Sequence, residues 1–149
     1  MGRVDASGIR KTFDLARMLK DPINLSIGQP DFDVAPQVVL VTQHAALACP
    51  QVDLTAPIAA YRAKRDLMVG ILRQYFTLSS PDGAFYLWAQ APAGLTGYLV
   101  VERAIANHGL IIPGSVFSER ASHFRICYTV PVERLRQGAE MLCRLASGG

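Results

Sequence analysis

No stretch of this sequence approaches the ~20 consecutive apolar residues that a bilayer-spanning helix requires, so a membrane span is excluded from the reading. Cysteine is scarce too: Cys49, Cys127 and Cys143 form no C-x-x-C pair and leave an odd thiol. That pattern excludes a disulfide framework and argues against a zinc site, and leaves all three as small buried hydrophobes. Charged residues make up only 18% of the chain, and Lys and Arg usually sit beside an acid, as in Lys64-Arg65-Asp66 and Glu133-Arg134. A net charge of +3 without a concentrated basic stripe is no nucleic-acid footprint. Arg3, Asp5, Arg10, Lys11 and Asp14 leave no room for a signal-peptide core, so the expected address is cytoplasmic. The only lysines are Lys11, Lys20 and Lys64, each read as lying on a charged helical surface. His44, His108 and His123 show no triad or metal-ligand spacing, and there is no repeat or low-complexity tract.

What is present is an apolar chain of globular composition. Its 149 residues, 50% of them apolar, suit one domain, and a domain of this size buries roughly 68–70% of its unfolded surface. The mean hydropathy of +0.21 is high for a soluble domain this small. Apolar surface left over from the core is expected to meet another molecule, in a homo-oligomer or with a protein partner.

Periodicity sets the elements. Ile9, Phe13, Leu15 and Leu19 step as a short helix over 4–20, stopped at Asp21-Pro22. Ile23 to Phe32 contains Gly28 and Pro30 and reads as an extended arm, and Pro36 opens a helix to about Ala48. From Pro57 to Tyr75 the stripe Ile58, Tyr61, Met68, Leu72 and Tyr75 predicts a helix. A short strand follows at 76–79, a turn at Pro81-Asp82-Gly83, and an alternating strand from Ala84 to Ala91. A helix over 97–107 is expected to end with Gly109 in left-handed geometry. Leu110-Ile111-Ile112 reads as one buried strand, and Phe124 to Val130 is the strongest strand signal in the chain. The last helix starts at Pro131, with Val132, Leu135, Ala139, Leu142 and Ala146 along one face. The expectation is an α+β two-layer sandwich: a small antiparallel or mixed sheet with helices on one face. Residues 1–50 form an N-terminal arm and helix, and 51–149 the domain proper.

Two residues stand out chemically. Arg125 falls inside a β-rich apolar run, Phe124-Arg125-Ile126-Cys127-Tyr128, where an unpartnered charge is costly. A guanidinium fork can grip a carboxylate through two parallel hydrogen bonds. An arginine on the solvent face of a half-buried strand is the plainer account of the residue alone. Gly28, between Ile27 and Gln29, permits either a close approach of backbone or a plain turn before Pro30.

Several stretches resemble one family. Ile23-Asn24-Leu25-Ser26-Ile27-Gly28-Gln29-Pro30-Asp31-Phe32, Tyr61-Arg62-Ala63-Lys64-Arg65-Asp66, Pro81-Asp82-Gly83-Ala84-Phe85-Tyr86-Leu87-Trp88, Pro113-Gly114-Ser115-Val116-Phe117 and His123-Phe124-Arg125-Ile126 are similar to segments of the class I/II (fold type I) pyridoxal-phosphate (PLP) aminotransferases. The match runs in two blocks, 9–49 and about 52–146, and nothing between them resembles the family's cofactor-binding large domain. The resemblance implies the small-domain fold, substrate binding by Arg125 and Gly28 at an amino-acid or 2-oxo-acid carboxylate, and a shaping role for the 113–117 loop. It makes the aromatics of the 84–91 strand mostly core. PLP is the family's cofactor, yet neither a Schiff-base lysine nor an acid facing the pyridine nitrogen can be carried over. No catalytic residue is therefore assigned, and stable PLP binding is not expected. The chain reads as an aminotransferase-family protein, inactive alone; the alternative is a non-catalytic interaction module or a subunit pairing with a complete enzyme.

Overall fold

In a computed structural model, which describes Asp14 and residues 17–28 and 53–148, the two alternating segments become neighbouring antiparallel strands. The expected helix over 36–48, with His44 and Cys49, lies outside the described residues, as do Lys11 and most of the expected 4–20 helix.

In chain order the elements are β1 (Ile23–Asn24), α1 (Thr55–Leu72), β2 (Thr77–Leu78), β3 (Tyr86–Gln90), α2 (Gly97–Ala106), β4 (Gly109–Leu110), β5 (Ile112–Pro113), β6 (His123–Cys127) and α3 (Val132–Ala146). A four-stranded antiparallel sheet has the order β2-β3-β6-β5, and β1 pairs in parallel with β4 in a separate two-stranded ribbon. The α+β sandwich expected from the sequence is thus the observed architecture.

Because strand side chains alternate, β3 and β6 each divide into two sets. Leu87, Ala89, Phe124 and Ile126 are all 0% exposed. They share one core with Met68 and Leu72 of α1, Val100 and Ala104 of α2, and Leu135, Ala139 and Leu142 of α3. Phe76 meets Phe124 edge to face, with centroids 5.4 Å apart. The other set, with Tyr86, Trp88, His123 and Arg125, is only partly buried.

The helices start where local chemistry satisfies their free amides. Asp53 Oδ1 accepts from Thr55 N at 2.9 Å at the start of α1, and Thr96 Oγ1 accepts from Leu99 N at 3.2 Å at α2. In α3, Glu133 in the first turn and Arg144 in the last suit the helix dipole.

Four expectations are corrected. Residues 110–112 do not form one strand: Leu110 pairs with β1 and Ile112 with β6, so the chain changes sheets within three residues. Left-handed backbone falls on His108 (φ 59), one residue before Gly109, and not on Gly109 itself. Gly109 is small for a packing reason, since a Cβ there would strike the Met141 methyl. The stripe of α1 holds at Met68 and Leu72, with Tyr61 packed against the core, but Ile58 and, beyond the helix end, Tyr75 are exposed, while Val69 and Lys64 are buried. Val132 of α3 is exposed as well, but Leu135, Ala139 and Leu142 are buried as expected.

The described part of the arm is stitched into the domain. Ile23 N donates to His108 O, Leu25 N to Leu110 O at 2.9 Å, and Cys127 N to Leu25 O at 2.7 Å. Leu25 is fully buried, and with Ile23 it packs against Gly138 of α3, where a Cβ would come within 2.6 Å of Leu25 Cδ1. Asp21 closes the contact by an ion pair with Arg134.

Candidate functional site

Arg125 lies in the middle of β6, opposite Trp88 on one side and Ile112 on the other. Its guanidinium carbon is 4.1 Å from the ring centroid of Tyr86 and 4.1 Å from that of Phe117. Flanking rings of this kind stabilise the cation through their quadrupoles and hold its plane in one orientation. Nη2 donates to Ser26 O at 3.0 Å, while Nε is buried with no hydrogen-bond partner. Among the described residues no carboxylate pairs with Arg125; the acid–base pairs there are Arg65–Asp66 and Asp21–Arg134. Burial lowers its pKa from the ordinary arginine value, with Tyr86 and Cys127 acting the other way. Arginine nevertheless stays charged in proteins, so a half-buried, unpaired cation is built into this face.

The positions of the flanking groups follow from local structure. Tyr86 and Trp88 share a face because they are two residues apart on β3. Phe117 follows the 3₁₀ turn Gly114–Val116, whose tightness needs Gly114: a Cβ there would meet His123 O at 2.6 Å and Arg120 O at 3.0 Å. Residues 25–27 present three successive carbonyls to this end of β6: Leu25 to Cys127 N, Ser26 to Arg125 Nη2, and Ile27 to Thr129 Oγ1. Asn24 Oδ1 fixes Ser26 by accepting from its N at 3.1 Å and its Oγ at 2.6 Å.

Gly28 comes to the same place. A Cβ there would lie 2.7 Å from Tyr86 Oη and closer still to the Phe85 ring edge. What Gly28 meets among the described residues is this aromatic pair. The two site residues expected from the sequence thus converge on Tyr86. Ser26, Tyr86 and Phe117 were not singled out; the alternation at 84–91 carried a signal for Tyr86, but the strand pairing was needed to use it. The aromatics of β3 are also not mostly core, since Tyr86 and Trp88 line the open face and only their neighbours Leu87 and Ala89 are interior.

Lys64 corrects another expectation. It is not solvated but 9% exposed, with Nζ donating to Thr129 O at 3.2 Å and lying 5.5 Å from the Tyr61 ring centroid. Lys20 is exposed. Cys127 and Cys143 are buried thiols, as expected, and burial raises both pKa values. No helix among the described residues is long and apolar enough to cross a membrane.

No protein-family model matches the chain. It is 32% identical over 123 residues to an LL-diaminopimelate aminotransferase of Desulforudis audaxviator, an alignment covering 78% of this chain and 31% of that protein. A second LL-diaminopimelate aminotransferase, from Dehalococcoides mccartyi, is 27% identical over 145 residues, covering 95% of this chain and 35% of the relative. Among solved structures, an aspartate aminotransferase variant of Thermus thermophilus superposes with a TM-score of 0.54 and 29% identity, covering 58% of this chain and 23% of that one. The chain is related to the fold type I aminotransferases. It spans about a third of the length of these aminotransferase relatives.

Proposed function

We propose that this chain forms the carboxylate-binding side of an aminotransferase site and does not transaminate by itself. The observation that carries the reading is Arg125: a half-buried cation, flanked by Tyr86 and Phe117, that no acid among the described residues pairs with. A fixed guanidinium of this kind suits the carboxylate of an amino acid or 2-oxo acid. Nε is buried, so the oxygens would meet the guanidinium through its terminal nitrogens, with Ser26 O already holding one N–H of Nη2. Gly28 would keep the arm close enough for Tyr86 to stay on the cation.

PLP supplies the electron sink for amino-group transfer when bound, but the described residues do not fit it. A reactive lysine needs a desolvated amine aimed at a ligand. Lys20 is exposed, and the Lys64 amine is spent on the Thr129 carbonyl. Shared ancestry with the aminotransferases supports the substrate class, and the engagement of the Lys64 amine with the Thr129 carbonyl, rather than with an open site, supports the absence of catalysis.

The test is an NMR titration of the chain with 2-oxobutyrate against 2-oxobutyramide. Shifts at Arg125 and Ser26 with the acid alone, lost in Arg125→Gln, are expected. Equal response to acid and amide would refute the anchor. Turnover of an amino acid and 2-oxoglutarate with added PLP, above that of free PLP, would refute the inactive reading.

A further inference from the structure

We propose that Trp88, Phe117 and His123 make the Arg125 site selective for carboxylates that carry a flat aromatic side chain. This rests on the reading of Arg125 as a carboxylate anchor and adds the nature of the group attached to the carboxylate.

The sheet register places the selecting groups. Trp88 stands directly opposite Arg125 in the β3–β6 ladder, and directly paired residues project side by side on one face. The Trp88 ring stacks on His123, with centroids 5.6 Å apart and planes at 15°, and meets Phe117 edge on at 6.3 Å and 69°. Phe117 in turn lies on Arg125 and is still 41% exposed. The three rings therefore make one continuous partly exposed shelf that begins at the cation. His123 Nδ1 lies 3.0 Å from Ser122 Oγ.

A ligand whose carboxylate sits on Arg125 must lay its remainder along this shelf or in solvent. A second carboxylate would meet the faces of Trp88 and Phe117, whose negative quadrupole faces do not favour an anion. A short aliphatic chain would cover little of them. An aromatic ring can stack or dock edge on, the arrangements that ring quadrupoles favour. The shelf is open on one side, so discrimination belongs near the low end for apolar contacts, roughly tenfold.

The experiment uses the full chain and follows the Arg125 and Cys127 amide signals by NMR during titration with 3-phenylpropionate, 3-cyclohexylpropionate, butyrate and glutarate. The expected result is 3-phenylpropionate binding about tenfold tighter than butyrate or glutarate, and tighter than its saturated-ring analogue. Trp88→Leu should bring the ratio of 3-phenylpropionate to butyrate affinity towards one, and Trp88→Phe should restore most of it. Equal affinities for all four acids, still abolished by Arg125→Gln, would overturn aromatic selection and leave the anchor standing. Preference for the saturated ring, or a ratio unmoved in a folded Trp88→Leu, would also overturn it. A response insensitive to Arg125→Gln would remove the anchor, and the selection with it.

Discussion

The two faces of β3 and β6 are made from the same ten residues and have opposite characters. One face carries Leu87, Ala89, Phe124 and Ile126, all without exposure, under three helices. The other carries Tyr86, Trp88, His123 and Arg125, whose rings and cation pack on one another yet remain partly open. The first face holds the fold by removing apolar area from water. The second keeps a charge half desolvated with no acidic partner among the described residues, an arrangement that contributes little to stability and matters when a ligand arrives.

Substitutions should separate the faces, most strongly on the closed side. Leu142→Ala, at a fully buried position of α3, is expected to cost about 2–5 kcal/mol in urea unfolding. A loss below about half a kcal/mol would mean that α3 does not seal the core. On the open face Arg125→Gln should leave stability within about 1 kcal/mol of the parent. The same change should weaken carboxylate binding by about 1.5–3 kcal/mol, the worth of a hydrogen bond to a charged group. Should Arg125→Gln instead unfold the chain as Leu142→Ala does, the division between the faces would be wrong.

Gly28→Ala tests how the arm is coupled to the open face. The added methyl meets Phe85 and Tyr86, and crowding of this kind costs about 1–3 kcal/mol. The resonances of Arg125 should shift along with those of Tyr86. A change confined to residues near Gly28 would mean that the arm does not position the ring. The smallest effect belongs to the Asp21–Arg134 pair at the other end of the arm. The hydrogen bond and then the charge of Arg134 hold the Asp21 carboxyl below its ordinary 3.8. Its contribution is therefore present above pH 3.8 and fades as pH falls through the lowered folded-state value. The pair is open to solvent, with Asp21 well exposed and Arg134 partly so, and Asp21→Asn should therefore flatten the acid limb of the stability curve only slightly. A large loss at pH 7 would show that this end of the arm depends on the pair.

Much of the fold was legible because it rests on local patterns. Helical periodicity placed α1, α2 and α3 within a few residues, and alternation found β3 and β6. Motif resemblance drew attention to Arg125 and Gly28, and the structure places both against Tyr86. Lys64 was not: the charges around it mark a solvated helix face, and only the packing of Tyr61 and the reach to Thr129 O show that its amine points inward. The break at residues 110–112 was hidden for a similar reason, since Leu110-Ile111-Ile112 is uniformly apolar whichever partner each residue takes.

By itself the sequence determined the α+β class, the spacing of the helical stripes and the presence of a cation inside an apolar strand, because these depend on residues close along the chain. Only the tertiary structure decided what surrounds that cation. Tyr86, Phe117 and Ser26 reach Arg125 from three separate segments. Their meeting depends on the β3–β6 register, the turn at Gly114 and the pairing of β1 with β4, and long-range geometry of that kind leaves no periodic trace in a single chain.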